Sequence, residues 1–410
     1  MKIAFISEHY PPTDGGVATS TQRIARNLRR LGIDVHVLCF DHSQALTSRD
    51  YVCEEDDHGV RVSRVGPFFL KQKSQSAESV PEKLKATFRR RACNQMIRLL
   101  RDSGEVDLIL SFYMINAGYI ATFVARSLGV PHVCGVRGND IGRNIFHVER
   151  FGVTRWIAEG ATHIVCVNNF LRGRLLMAFP EVAAKTSVIA NTVTLPTPGS
   201  FDRTSGRQRI LAAAGWSNDV VIATFIGTLR EKKGVETLAS AMDSLAADTR
   251  LRLLLIGPPP GKLERHICGE VWDRLVERGL VWNTGRVPLG EVAGWACGAE
   301  IVTMPSIDDG MANGLLEGMA LGLCPVATEI FSDVITDGRN GIAVPSSNHL
   351  ALAEALEALA DDPARLAMLG DAARSAMGCR QPSEEADEYV TLFADLMQQG
   401  AGERREFVEA

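Results

Sequence analysis

Short runs dominated by Val, Ile and Leu recur along the chain, each followed by a longer stretch with apolar residues at helical spacing. In the first half the runs are Ile3–Ser7, Val35–Phe40, Val60–Val65, Val106–Ser111, Val130–Val136, His163–Val167 and Ser187–Ile189. In the second half they are Val220–Ile226, Arg252–Ile256, Leu280–Asn283, Ile301–Met304, Cys324–Ala327 and Gly341–Val344. Nearly continuous apolar runs of this length are how strands covered on both faces read. Amphipathic stretches such as Thr19–Leu31, Ala117–Leu128 and Glu236–Ala247 lie between them. This alternation predicts parallel sheets in α/β layers.

The alternation breaks once, at Asn191–Gly206, where NTVTLPTPGSFDRTSG is rich in Pro, Thr, Ser and Gly. Such a stretch reads as a linker. The expected division is residues 1–195, residues 206–380, and a C-terminal helix and tail over 381–410, with Ser383–Gln398 helical. Each large unit is long enough for a doubly wound sheet. A cleft between two such units is where a ligand is expected.

Composition narrows the class. The 410 residues are 46% hydrophobic and 23% charged, which excludes a mainly disordered chain. No window approaches the ~20 apolar residues of a membrane-spanning helix. Met1 leads directly into the strand-like KIAFIS, so no secretory signal is expected and the predicted location is the cytoplasm. The nine cysteines stand singly without a CxxC pair, which predicts reduced thiols and no structural zinc. Net charge is −5 but uneven: residues 1–195 carry 25 Lys and Arg against 18 Asp and Glu, and the remainder carries −12. Two units with different partners are implied. The basic run Lys83–Arg101 reads as a solvated helix covering the sheet or as a contact for anionic lipid headgroups. No basic–aromatic pattern suited to nucleic acid is present.

Three segments carry candidate chemistry. In HYPPTDGGVATSTQ, Gly15 and Gly16 occupy a strand-to-helix turn, where a phosphate can approach the backbone and a helix N-terminus. The segment is not GxGxxG, so a nicotinamide or flavin fingerprint is absent there. In VIATFIGTLREKKGVETL, Arg230, Lys232 and Lys233 follow a buried strand, and cations at that edge are placed to hold a diphosphate. In MPSIDDGMANGLLEGMALGLCPVAT, Asp309 lies in the loop after a strand, a helix begins near Asn313, and Glu317 sits about one turn inside it. The N–H groups of Ala312–Leu315 are expected to be free to meet a phosphate, and a nearby carboxylate can accept from sugar or ribose hydroxyls.

Together these segments resemble the retaining nucleotide-sugar glycosyltransferases of family 4. That family has the α/β GT-B fold, two Rossmann-like doubly wound parallel-sheet domains facing a cleft. Asp309 and Glu317 stand at the spacing of the family motif, Glu, seven residues, Glu. The resemblance covers nearly the whole chain through PPTDGGVA, GTLREKKGVETL, LLLIGPPPG and TGRVPLGEVAGWACGAEIVTMPS. It implies that residues 1–195 bind the acceptor and residues 206–380 the donor. It implies that Glu317 binds the nucleotide ribose and Asp309 faces the donor sugar. Arg230 and Lys233 would neutralise the diphosphate and join Asp309 in the catalytic set. Gly16 would lie against the donor phosphate, Gly285, Arg286 and Val287 would hold the base through backbone groups, and Asn313, Gly314 and Leu315 would lie under the phosphates. Gly15, Arg137, Asn139 and Asp140 fall on the acceptor or sugar side.

Three departures stand out. Arg137 occupies the place of a frequent family His, Asp309 replaces Glu, and Thr228 stands where an Arg often follows the glycine. Arg cannot serve as a base at neutral pH. It can bind a donor hydroxyl, the leaving phosphate or an anionic acceptor.

The resemblance implies transfer of a sugar from an NDP-sugar, most often UDP in the family, to an acceptor hydroxyl with retention. Acceptors in polysaccharide, lipid-linked glycan or natural-product synthesis all fit, and a peripheral contact with the inner face of the membrane is expected. No metal or other cofactor is expected, because Asp308-Asp309 and Asp56-Asp57 lack the spacing of a DxD motif. An NDP-sugar epimerase, a sugar phosphorylase and a non-catalytic sugar-nucleotide-binding subunit are the competing readings.

Overall fold

The computed structural model describes residues 1–13, 15–41, 50–66, 82–142, 144–193, 200–379 and 381–409. Two compact units divide the chain, Met1–Asn191 with Pro382–Ala410, and Thr192–Gln381.

The first unit holds an eight-stranded sheet: β1 (Lys2–Ser7), β2 (Asp34–Phe40), β3 (Tyr51–Asp57), β4 (Val60–Gly66), β5 (Leu108–Phe112), β6 (His132–Val136), β7 (His163–Cys166) and β8 (Thr186–Val188). Their order is β3-β4-β2-β1-β5-β6-β7-β8. All pairs are parallel except β3 with β4, where Cys53 faces Arg64 and Glu55 faces Val62. β3 is absent from the expected strands. Its sequence YVCEEDD is charged and mostly exposed, as an edge strand requires to discourage further pairing.

The second unit holds a six-stranded, wholly parallel sheet: β9 (Val221–Ile226), β10 (Leu251–Ile256), β11 (Val281–Asn283), β12 (Ile301–Met304), β13 (Cys324–Thr328) and β14 (Ile342–Val344). The order is β11-β10-β9-β12-β13-β14. The order turns back between β9 and β12. In doubly wound sheets such a reversal marks where ligands meet the carboxyl ends of the strands.

Two boundaries differ from expectation. The segment 381–410 is not a separate tail: the helix Pro382–Glu409 belongs to the first unit. Its stripe Ala386, Tyr389, Phe393 and Leu396 enters the core with Phe5, Ile24, Val37 and Phe112. Phe5 meets Phe112 edge-on, with ring centres 4.7 Å apart. Glu385, itself buried, takes two nitrogens of Arg23 at 3.0–3.2 Å, and Asn27 donates to Pro382 O. The expected linker also ends early. Asp202 accepts from the N–H groups of Thr204 and Ser205 and starts the helix Arg203–Ala214, so the last linker residues form its first turn. Residues 194–199, in the middle of that linker, lie outside the described residues.

The basic run forms the helix Glu82–Asp102, whose Ala92, Cys93, Met96 and Leu100 are buried beside β2 and β4 residues. Arg91 pairs with Asp50 at 2.6 Å. No helix among the described residues is long and apolar enough to cross a membrane.

Candidate active site

In the second unit the loops after β9, β10, β11 and β12 share one edge of the sheet. Gly257 follows β10, and a Cβ there would stand 2.1 Å from Gly227 O, so only glycine permits the two loops to touch. Gly257 also forms an isolated bridge with Gly285. Asn283 locks that corner, accepting from Gly285 N–H at 2.8 Å and donating to Gly257 O. Gly285 lies at φ 70°, and Arg286 and Val287 follow it, Arg286 exposed and Val287 half-buried.

After β9 the chain makes a single 3-10 turn, Glu231–Lys233, closed by Gly234 in the left-handed region. A Cβ on Gly234 would fall 1.9 Å from Pro305 O, so the turn is pressed onto the loop after β12. Lys232 O accepts from the N–H groups of Ile307 and Asp308, at 2.9 and 3.2 Å. The two loops are thereby stitched through the backbone.

That stitching brings Asp309 to both lysines. Lys232 Nζ donates to Oδ1 at 3.3 Å, and Lys233 Nζ lies 3.1 Å from Oδ2. Gly310 N–H donates to Oδ1 at 3.0 Å. Asp309 is 8% exposed. Burial pushes its carboxyl up, but Lys233, Lys232 and the Gly310 N–H outweigh this, and it sits below its ordinary value. Arg230, expected beside Lys233, is exposed at the head of the turn, and Lys232 takes the second place at the carboxylate. The doubled lysine was the available signal.

The helix Asn313–Ala320 begins directly after this loop, and Ala312 offers it no capping side chain. The Leu315 N–H, expected to be free, is taken by Ala312 O at 2.9 Å, because the helix opens with a tight turn. Gly314 is required there, since a Cβ would lie 2.3 Å from Ile226 O at the end of β9. Leu315 is fully buried and anchors the first turn, while Asn313 and Glu317 are half-buried. Asp309, Lys233, Asn313, Gly314, Leu315 and Glu317 are thus carried by two stitched loops and one short helix.

In the first unit the corresponding edge lies over β1, β5 and β6. Gly16 is the first residue of the helix Gly16–Arg30, three positions earlier than expected, and Gly15 at φ 136° precedes it without a capping side chain. After β6, Asp140 accepts from Arg137 N–H at 2.9 Å and Gly138 N–H at 2.7 Å. Burial raises its carboxyl above the ordinary value against those two bonds. The Arg137 guanidinium is buried 4.2 Å from the Phe112 ring centre and donates to Asn191 Oδ1. Asn139 opens the short helix Asn139–Gly142, and its side chain lies outside the described residues.

Glu8 belongs to no motif in the sequence. It follows β1 and accepts from the Asn116 side chain and from the N–H groups of Asn116 and Ala117 at the start of the helix Asn116–Leu128. Burial, with a smaller contribution from Asp140, raises its carboxyl to about 7. Its position directly after a buried strand was the only sign of it.

Comparison with known proteins agrees with this architecture. Residues 14–195 match the family described as Glycosyltransferase Family 4, and residues 221–362 match Glycosyl transferases group 1. The chain is 26% identical over 395 residues to a D-inositol 3-phosphate glycosyltransferase of Arthrobacter, covering 91% of this chain and 90% of that protein. It is 23% identical over 397 residues to an alpha-maltose-1-phosphate synthase of Mycobacterium tuberculosis, covering 91% and 94%. Among solved structures, Anabaena HepE in complex with UDP-glucose superimposes with a TM-score of 0.71 at 17% identity, covering 95% of this chain and 99% of that one. Glycosyltransferase matches on both halves, on two parallel-sheet units with the fold of HepE, make this chain a glycosyltransferase of the GT-B fold.

Proposed function

We propose that the chain is a retaining family 4 glycosyltransferase that moves a sugar from an NDP-sugar, with UDP as the nucleotide, to an acceptor hydroxyl. The observation that carries this reading is the Asp309 carboxylate held between two lysines, one turn before an uncapped helix that bears Glu317. A cation pair beside a helix N-terminus suits a diphosphate. Asp309 then turns to a hydroxyl of the donor sugar, and Glu317 accepts from the ribose. The base rests against the backbone of Gly285, Arg286 and Val287. The UDP-glucose bound by HepE supports a nucleotide-sugar donor.

The chemistry assigned to these residues is positioning and charge stabilisation. The bond from the anomeric carbon to the diphosphate oxygen breaks, and negative charge grows on that oxygen. Lys233, Arg230 and the helix N-terminus at Asn313 stabilise it. The acceptor hydroxyl attacks from the same face and passes its proton to the departing diphosphate oxygen, so no protein base is required. Arg137, always protonated, accords with that arrangement. The reading invokes no metal. Gly16 lies against the donor phosphate, Gly15, Arg137, Asn139 and Asp140 form the acceptor or sugar side, and the inositol phosphate in the Arthrobacter relative's name supports a hydroxyl-rich acceptor.

The test is a thermal-shift panel of nucleoside diphosphates and NDP-sugars in EDTA. A ligand bound only by the folded chain raises its melting temperature. UDP and one UDP-sugar are expected to do so, and mass balance with that sugar then identifies transfer. No shift with any nucleotide overturns the reading.

A further inference from the structure

The family resemblance assigns one lysine of this turn to the donor, yet the structure presents two. Neighbouring residues on an extended strand point to opposite sides. Lys232 and Lys233 instead occupy a 3-10 turn, and both ammonium groups reach the same carboxylate. Lys232 has little freedom to leave, because its carbonyl is fixed by two N–H groups of the partner loop. The side chains are not sealed: Lys232 is 29% exposed and Lys233 19%.

Two ammonium groups share one carboxylate, next to a helix start that has no side-chain cap. Asp309 also keeps a bond that needs neither lysine, from Gly310 N–H. It can therefore give up the ammonium groups without losing every partner. A diphosphate carries more negative charge than one carboxylate and has oxygens for both lysines.

We infer that Lys232 is a second diphosphate-binding cation beside Lys233, and that Asp309 is their resting counter-anion, displaced when the diphosphate arrives. The inference rests on the donor-site reading above and adds to it the pairing of Lys232 with Asp309 and an exchange. Donor binding swaps one anion for another on the same two lysines. The released carboxylate becomes available to the donor sugar. Asp309 thereby weakens the binding of a bare diphosphate, and it repays that loss only when a sugar hydroxyl is present.

Calorimetric titration of the full chain with inorganic pyrophosphate and with UDP separates the possibilities. Pyrophosphate needs no base contact, so it reads the cation pair whichever nucleotide the enzyme uses. Lys232→Ala is expected to raise both dissociation constants about tenfold, as Lys233→Ala does, the scale of one lost charge-assisted hydrogen bond. Lys232→Arg is expected to restore most of that loss, which a merely structural role for Lys232 does not predict. Asp309→Asn is expected to tighten pyrophosphate and UDP about threefold or more while lowering turnover. Should Lys233→Ala weaken binding and Lys232→Ala leave it unchanged, Lys232 is not a ligand and the inference falls alone. Should Asp309→Asn leave pyrophosphate binding unchanged or weaker, the counter-anion role falls. Should Lys233→Ala itself have no effect, the donor-site reading falls first.

Discussion

The two sheets end their central strands in opposite electrostatic styles. At the edge of the second unit, Asp309 meets two partly exposed lysines from another loop. At the edge of the first unit, Asp140 is fully buried and bonded to the backbone N–H groups of its own loop. Arg137 beside it is likewise buried, packed on Phe112 and tied to Asn191. A side chain paired to partly exposed ammonium groups can change partners at small cost. A carboxylate that satisfies buried N–H groups cannot, because each donor left without an acceptor costs the full desolvation penalty. The pairs of Asp309 leave it open to an exchange of partners, and the bonds of Asp140 fix the loop after β6.

The strongest test of this contrast is stability. Asp140→Ala strands the N–H groups of Arg137 and Gly138 in the interior and is expected to cost about 3 kcal/mol in urea unfolding. Asp309→Ala takes one acceptor from a single N–H group, that of Gly310, and leaves two lysines that reach solvent, so it is expected to cost about half as much. Equal losses from the two substitutions would erase the distinction between exchange and scaffold.

Glu8 gives the next largest effect and adds pH to the comparison. Its carboxyl titrates near 7 in the folded chain, against an ordinary 4.5. The folded state therefore holds this proton more tightly than the unfolded state. Stability falls as pH rises from about 4.5 through 7, and the penalty is complete above that range. Glu8→Gln removes the ionisation and keeps an oxygen for the N–H groups of Asn116 and Ala117. It is expected to stabilise the chain at pH 8 by about 2 kcal/mol more than at pH 5. An identical change at both pH values would mean that Glu8 is solvated in the folded chain. Asp309 has the opposite sign: its carboxyl is lowered, so the stability it brings is present at neutral pH and lost in acid.

Much of this arrangement was legible in the residues, and the exceptions have physical causes. Strands such as Val221–Ile226 and Ile301–Met304 announce themselves because both faces are covered, and so do the loops at their carboxyl ends. Asp309, Lys233 and Asn313 could be read from those positions. β3 could not, because an exposed edge strand has no apolar signature. The stripe along Pro382–Glu409 says that the helix packs on something, but not that its partner is a helix near residue 20, more than 350 positions away. Lys232 could be read as a cation at that edge but not as a partner of Asp309: only the 3-10 turn and the left-handed Gly234 direct two adjacent lysines to one point. Glu8 was hidden by distance, since its environment is made by Asn116 and Ala117, beyond a hundred residues of intervening chain.

The smallest effect falls on Glu317, and it sharpens the contrast inside the second unit. Glu317 rides the helix Asn313–Ala320 one turn past the uncapped start, half-buried, while Gly314 and Gly318 seat that helix against Ile226 and Val302. A Cβ at Gly318 would meet Val302 side-chain atoms at 2.6–2.8 Å, so the helix cannot slide to adjust. Its register, and with it the reach of Glu317, is set by packing and not by charge. Glu317→Gln keeps the shape and one acceptor oxygen, and loses only the charge that strengthens a bond from a ribose hydroxyl. UDP affinity is expected to fall about three- to tenfold, less than for either lysine, while pyrophosphate affinity stays unchanged because pyrophosphate has no ribose. A matching loss with pyrophosphate would place Glu317 in the anion site with the lysines. An effect confined to UDP would place it, as proposed, on the sugar of the nucleotide, beyond the charges that Asp309 and the two lysines exchange.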